Sequence, residues 1–246
     1  MPSRRVVVGL HPVRELLRAG REVHEIHIAD SRGGSDTLDD IVRLAGERGV
    51  VVHESPRDRV DDLGEGLVHQ GVVAFAPPFR YATLDEAIAA VPDDEPALFV
   101  ALDRITDPMN LGSIARTAEA AGAHGVIVPE RRAAGVTPTV EKAAAGALAH
   151  LALVQVVNFV RALRTLGEAG IWSVGLDGDA PSSLYDSPLL TEPLVLVAGS
   201  EGKGLARSSH VQCDVVVSLP MRGQVGSLNA SVATAVALFE VVRART

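Results

Sequence analysis

Residues 194–242 read LVLVAGSEGKGLARSSHVQCDVVVSLPMRGQVGSLNASVATAVALFEVV, and the fold is decided here. Leu194–Ala198 is a short apolar run that stops at Gly199, the pattern of a buried strand. Val215–Leu219 is a second run and stops at Pro220. Each leads into a glycine-containing loop, Gly199-Ser-Glu-Gly-Lys-Gly204 and Pro220-Met-Arg-Gly-Gln-Val-Gly226. A short helix is expected between them. Two strands ending in glycine loops bring both loops to one edge of a sheet, where open α/β sheets hold ligands. The last helix is expected to start near Ser227 or Asn229, both good caps. Leu228, Val232, Val236, Phe239 and Val242 then recur at helical spacing. Capping and turn chemistry alone would also account for either loop.

Working back from this stretch, the rhythm from Ala97 onward is strand then helix. Strands are expected at Ala97–Leu102, Gly125–Val128, Leu151–Val156 and Ile171–Leu176. Helices are expected from a cap at Asn110 to Gly122, over Thr139–His150 and over Phe159–Ala169. Arg116 is placed nearly two turns in, close to the face of Leu111. Alternation of this kind implies an α/β fold with a parallel sheet covered on both faces. Residues 1–76 read as a separate small α/β unit, with strands at Val6–Val8, Val23–Ala29, Val50–Val52 and Gly71–Ala76. Its helices are expected after Pro12 and over Thr37–Arg48. Pro77-Pro78, the capping box Thr83-Leu-Asp-Glu86 and Pro92–Pro96 mark a linker over 77–95. The second domain is then 96–246.

Composition sets the outer limits. The 246 residues are 47% hydrophobic with a net charge of -8, so the chain buries a core and does not advertise itself as a nucleic-acid binder. Contact with RNA would need a local basic patch. The basic residues are 21 Arg against only Lys142 and Lys203. No apolar run is long enough to span a membrane, and the first residues do not read as a signal peptide, so a cytoplasmic protein is expected. The single cysteine, Cys213, excludes an internal disulfide and a multi-cysteine zinc site and reads as a small core residue. His11, His24, His27, His53 and His69 show no pair at metal-ligand spacing with carboxylate support, so no metal is expected.

The loops exclude several chemistries. Lys203 precedes Gly204 and Leu205, not a glycine-lysine-hydroxyl triplet, so there is no P-loop. Asp103-Arg-Ile-Thr-Asp-Pro lacks dinucleotide-binding glycines, and no Gly-x-Ser-x-Gly elbow is present. Three segments remain: Asn110-Leu-Gly-Ser-Ile-Ala-Arg116-Thr, Gly199-Ser-Glu201-Gly-Lys-Gly204, and Leu219-Pro-Met followed by Ser227-Leu-Asn229-Ala-Ser231. In this order, over roughly 97–243, they resemble the three motifs of the SpoU/TrmH (SPOUT) family of S-adenosylmethionine-dependent RNA ribose 2'-O-methyltransferases. Gly9-Leu-His-Pro-Val-Arg-Glu-Leu16 and His69-Gln-Gly-Val-Val73 resemble the small RNA-binding domain of the large-subunit rRNA members, similar to ribosomal protein L30. The nearest likeness is to members that methylate a guanosine of 23S rRNA.

The resemblance implies a trefoil-knotted C-terminal domain whose two glycine loops are the crossings and hold S-adenosylmethionine. It implies cofactor contacts at Gly199, Gly204, Leu219, Met221 and Leu228, and catalytic roles for Arg116, Asn110, Glu201, Ser227 and Asn229. Arg116 would activate the ribose hydroxyl, either as a base or as the cation that stabilises the developing alkoxide; guanidinium chemistry favours the second. Partners implied are 23S rRNA and a second copy of the chain, with no metal and no membrane. Two other readings are open: a 2'-O-methyltransferase acting on tRNA or on an antibiotic-resistance rRNA site, and a non-catalytic RNA-binding assembly protein on the same scaffold.

Overall fold

The computed structural model describes residues 4–30, 34–200, 202 and 204–246. In chain order the elements are β1 (Arg5–Val8), α1 (Leu10–Arg18), β2 (Glu25–Ala29), α2 (Asp36–Glu47), β3 (Val51–Ser55), α3 (Arg57–Leu63), β4 (Val72–Ala76) and α4 (Leu84–Ala89). There follow β5 (Leu98–Asp103), α5 (Pro108–Ala120), β6 (Gly125–Pro129), α6 (Pro138–Ala144), β7 (Ala152–Val156), α7 (Phe159–Glu168) and β8 (Trp172–Leu176). The chain closes with β9 (Ser182–Ser183), β10 (Leu194–Gly199), α8 (Arg207–Gln212), β11 (Val215–Ser218) and α9 (Ala230–Arg245).

Two compact units result. The first comprises Met1–Arg80 and Val136–His150; the second comprises Tyr81–Gly135 and Leu151–Thr246. The segment containing α6 thus groups with the first unit, and α4, inside the expected linker, with the second. The Thr83–Glu86 capping box is present: Glu86 N–H donates to Thr83 Oγ1 at 3.2 Å and Thr83 N–H to Glu86 Oε2 at 2.9 Å.

The first unit is a four-stranded mixed sheet in the order β1-β4-β2-β3, with β2 and β3 parallel and the other pairs antiparallel. Alternation along the strands sends Val7, Ile26, Ile28, Val72 and Ala74 to one face, under Leu16, Leu17, Ile41 and Leu44 of α1 and α2. Val8, Ala29 and Val73 face the other way, against Val60 of α3. Arg5 ties α6 to β1 by donating Nη1–H to Glu141 Oε1 at 2.8 Å. Burial pushes the Glu141 carboxyl up, against the pull of that guanidinium.

The expected helix over Thr139–His150 is shorter than the alanine-rich sequence suggests. It stops at Ala144, because Ala145 (φ 51°) and Gly146 (φ 100°) turn left-handed; a single 3-10 turn, Ala147–Ala149, follows. A Cβ on Gly146 would strike the side chain of Glu15, so close packing against α1 sets this break.

The second unit is a seven-stranded parallel sheet in the order β7-β6-β5-β10-β8-β11-β9. The late strand β10 lies between β5 and β8, and Leu194–Ala198 are buried throughout. On one face Phe99, Ala101, Ile127, Val154, Val195 and Val197 pack with Leu163 and Leu166 of α7. On the other, α5 packs beside α9, with Leu111, Ile114, Leu238 and Val241 buried. The expected parallel sheet with two covered faces is therefore present. At the end of α9 the Arg245 guanidinium donates to the carbonyls of Leu190, Glu192, Pro96 and Ala97, pinning the helix to the start of the sheet.

The buried face of α9 differs from its apolar periodicity. Ala230, Thr234, Ala237, Leu238 and Val241 face inward, while Val232, Val236 and Phe239 are 47%, 37% and 50% exposed. The helix is apolar nearly all round, so periodicity could not say which stripe meets the sheet. Among the described residues no helix is long and apolar enough to cross a membrane.

Candidate active site

A parallel sheet puts the C-terminal ends of its strands on one edge. At that edge the chain after β8, β10 and β11 forms three loops beside the start of α9. Together they line a cavity of about 350 Å³. Gly199, Ser200, Gly202 and Gly204 come from the first glycine loop, and Leu219, Met221, Gly226, Ser227 and Leu228 from the second. All five residues expected at a cofactor, Gly199, Gly204, Leu219, Met221 and Leu228, line this one cavity, as does Ser227. The sequence reading missed Leu176-Asp-Gly-Asp179 and the small residues Ala230 and Ala233, which complete the wall. The signal was available: Asp177-Gly-Asp is a turn at the end of a third buried strand.

The first loop is closed on itself. Ser200 N–H donates to Gly204 O at 3.1 Å and Gly204 N–H to Ser200 O at 2.9 Å. Asp103, buried at the end of β5, accepts the Ala206 N–H on Oδ2 at 2.6 Å and Arg104 Nε–H on Oδ1 at 3.2 Å. Its carboxylate anchors the exit of the loop to the neighbouring strand. Cys213 is no nucleophile: burial, then Asp214 and Asp103, push its thiol up to about 12, and Sγ donates to Ser209 O at 3.2 Å.

Asn229 caps α9. Its Oδ1 accepts from Ser231 N–H at 2.8 Å, Val232 N–H at 3.3 Å and Ser231 Oγ–H at 2.6 Å. That use of the oxygen leaves Nδ2 to donate to Asn110 Oδ1 at 3.1 Å, joining α9 to α5. Asn110 does not cap its helix, as the sequence reading expected. Asp107 does, accepting Met109 N–H at 2.9 Å, with Pro108 in the first turn. Asn110 lies inside the helix, 5% exposed, aimed at the α9 start. Ser227 stands before the α9 cap, exposed, on the cavity wall.

Arg116 is exposed on α5 and makes no hydrogen bond or ion pair with any described residue, so its cation is available to a ligand. It is not on the face of Leu111, which is buried; five residues turn a helix by about 500°, leaving the two roughly 140° apart. Glu201, expected to be catalytic, and Lys203 lie outside the described residues.

The Asn229–Asn110 pair gives a first prediction. Asn229→Ala removes a helix cap and the donor to a buried amide oxygen, and should destabilise the second unit by about 1–2 kcal/mol. A urea melt reads this directly; an unchanged midpoint would show that the pair carries no structural load.

Residues 97–239 match the SpoU rRNA Methylase family, and residues 6–82 match the RNA 2'-O ribose methyltransferase substrate-binding domain. The chain belongs to the SpoU family. This SpoU chain is 43% identical over 239 residues to an uncharacterized tRNA/rRNA methyltransferase of Mycobacterium leprae, covering 97% of this chain and 77% of that protein. Among solved structures it resembles the SpoU methyltransferase AviRb of Streptomyces viridochromogenes in complex with AdoMet. That likeness has a TM-score of 0.81 at 30% identity over 98% of this chain and 90% of that one. An AdoMet-bound rRNA methyltransferase from Sinorhizobium meliloti is similar at TM-score 0.79 and 26% identity, over 99% and 88%. The chain therefore has the SpoU methyltransferase fold, with a parallel-sheet domain preceded by a substrate-binding domain, and is an RNA methyltransferase.

Proposed function

We propose that this chain transfers a methyl group from S-adenosylmethionine to the ribose 2'-hydroxyl of a guanosine in 23S rRNA. The observation that carries the reading is the cavity between the two glycine loops, lined by the residues that the motif match assigns to a cofactor. Its wall fits that molecule. Bare backbone at Gly199 and Gly204 and the apolar Leu219 and Leu228 suit the flat face and edge of a purine, while Asp177 and Asp179 suit its cationic part. When bound, S-adenosylmethionine supplies an electrophilic methyl group on a sulfonium, whose departure as a neutral thioether needs no metal.

The chain's own groups then orient the ribose, and its 2'-hydroxyl proton leaves to the RNA phosphate oxygen that Arg116 holds, or to water. Arg116 presents a solvent-facing guanidinium that grips an RNA phosphate and stabilises negative charge growing on the 2'-oxygen. Asn110 and Asn229 hold α5 against the start of α9, fixing where Arg116 is presented. Ser227, on the cavity wall before the α9 N-terminus, offers a hydroxyl to ribose or phosphate. Glu201 is assigned by its motif position to orient one of these groups.

Two further parts of the reading concern assembly. The C-terminal segment is threaded through the preceding loops as a trefoil knot, in keeping with the central insertion of β10. The exposed stripe of Val232, Val236 and Phe239 is the contact with a second copy, since contiguous apolar surface on a helix marks an interaction face. The domain at residues 1–76 binds the rRNA, and its presence favours rRNA over tRNA.

Mapping 2'-O-methyl groups in RNA from cells with and without the protein tests the substrate. Loss of one mark on a 23S guanosine is the expected result. Loss from a tRNA or another rRNA nucleotide would keep the enzyme and replace the substrate. No lost mark, with RNA still bound by the purified protein, would replace catalysis with an assembly role.

A further inference from the structure

Glu25 and His27 on β2 and His53 on β3 lie on the sheet face of the first unit that α3 covers only in part. Parallel pairing sets His27 opposite His53. The two imidazoles stack at 4.8 Å between ring centroids, with planes 23° apart. His53 Nε2 is 3.4 Å from Glu25 Oε2, and His27 Nε2 is 4.0 Å from Glu25 Oε1. Both free ring nitrogens thus converge on one carboxylate. Local sequence could not reveal this, because His27 and His53 are brought together only by strand pairing.

We propose that Glu25, His27 and His53 bind a divalent transition-metal ion of borderline softness, such as zinc or nickel. Two imidazoles and a carboxylate are the donor set such ions take. The three ligand atoms already lie within 4.8 Å of one another, the only group of three or more metal-binding side chains so placed among the described residues. Tetrahedral bonds of about 2.0–2.2 Å put ligand atoms about 3.3–3.6 Å apart, so the widest separation closes by up to about 1.5 Å, through rotation of the Glu25 and half-exposed His53 side chains. Ser55, itself buried, sits 3.1 Å from His27 Nδ1 and fixes the ring so that Nε2 faces the carboxylate. That is the orienting partner a metal-bound histidine uses.

One feature opposes the ion. Arg4 donates Nη1–H to Glu25 Oε1 at 3.0 Å, with its guanidinium 5.7 Å from the centre of the Phe75 ring. Metal and guanidinium compete for the same carboxylate, and this supplies a test that a merely structural histidine pair would fail. His53 is 44% exposed in its side chain, so the remaining coordination positions open to water.

The experiment uses the full chain, stripped with a chelator and titrated with Zn²⁺ by calorimetry. One saturable equivalent is expected. His27→Gln and His53→Gln should each weaken it by about tenfold or more, and Arg4→Gln should tighten it. With Cu²⁺ as a probe, electron paramagnetic resonance should show coupling to two imidazole nitrogens, falling to one in either histidine variant. Thermal melts of the metal-free variants establish that each folds. Absence of saturable binding in the parent chain would overturn the proposal. So would binding unchanged by both histidine substitutions, which would place the ion on other histidines.

Discussion

Arg116→Ala is expected to bind S-adenosylmethionine like the parent chain and to transfer methyl groups about 10²–10³-fold more slowly. Arg116 does not line the cavity proposed for the cofactor, so removing it leaves that wall intact. It is also exposed and unpaired among the described residues, so the fold loses no ion pair. On the proposed mechanism, what is lost is the cation that offsets charge growing on the ribose oxygen. Groups of that kind contribute in the transition state far more than in the bound ground state. Arg116→Lys keeps the charge but not the planar fork, and should recover part of the rate. Calorimetry with cofactor, together with single-turnover transfer of labelled methyl to rRNA, separates the two effects. Transfer at the parental rate by Arg116→Ala would remove the residue from the chemistry.

The second large effect is expected at Gly199. A Cβ there would overlap deeply with the backbone of the Gly204 carbonyl group and the Leu205 amide nitrogen. Neither neighbour can move aside cheaply. The loop is closed by the paired Ser200–Gly204 hydrogen bonds and held at its exit by Asp103. Gly199→Ala should therefore cost about 1–3 kcal/mol of stability through overpacking. It should also lower cofactor affinity by about 100-fold or more, the equivalent of a little under 3 kcal/mol. Gly204→Ala is the informative contrast. A Cβ at Gly204 meets only Asp177 Oδ2 at 3.8 Å, so the left-handed backbone (φ 57°) is the main cost, about 1–2 kcal/mol. Equal behaviour of the two variants in thermal melts and cofactor titrations would show that the close approach at Gly199 has no special weight.

These two sites differ in how readable they are from sequence. The glycine loops follow buried strands, and strand ends in a parallel sheet share an edge. Composition and period alone therefore bring Gly199, Gly204, Leu219 and Leu228 to one place. Arg116 carries no such signal: an exposed arginine on a helix looks like any solvated charge, and only the three motifs in order single it out. Where the reading missed, the deciding contacts were remote in sequence. Asn110 reads as a cap but is taken inward by Asn229, leaving Asp107 to cap the helix. The alanine-rich run after Thr139 has no local reason to stop at Ala144; the approach of Glu15 to Gly146 supplies one. The stripe Val232, Val236 and Phe239 has the correct helical period but faces outward, because the opposite side of α9 is also apolar and meets the sheet. His27 and His53 meet only once β2 and β3 have paired.

The position of β10 also bears on synthesis at the ribosome. Strands β5 and β8 both leave the exit tunnel before the strand that must sit between them, and until residues 194–199 emerge the middle of the sheet is a gap flanked by two unpaired, largely apolar edges. Such edges invite pairing with a neighbouring nascent chain. Chains grow from the N-terminus and central, sequence-distant pairings form late. The yield of soluble protein should then be limited by the interval between translating Leu176 and Gly199. Slower elongation across that window would aggravate aggregation, where in a fold assembled strand by strand it would relieve it.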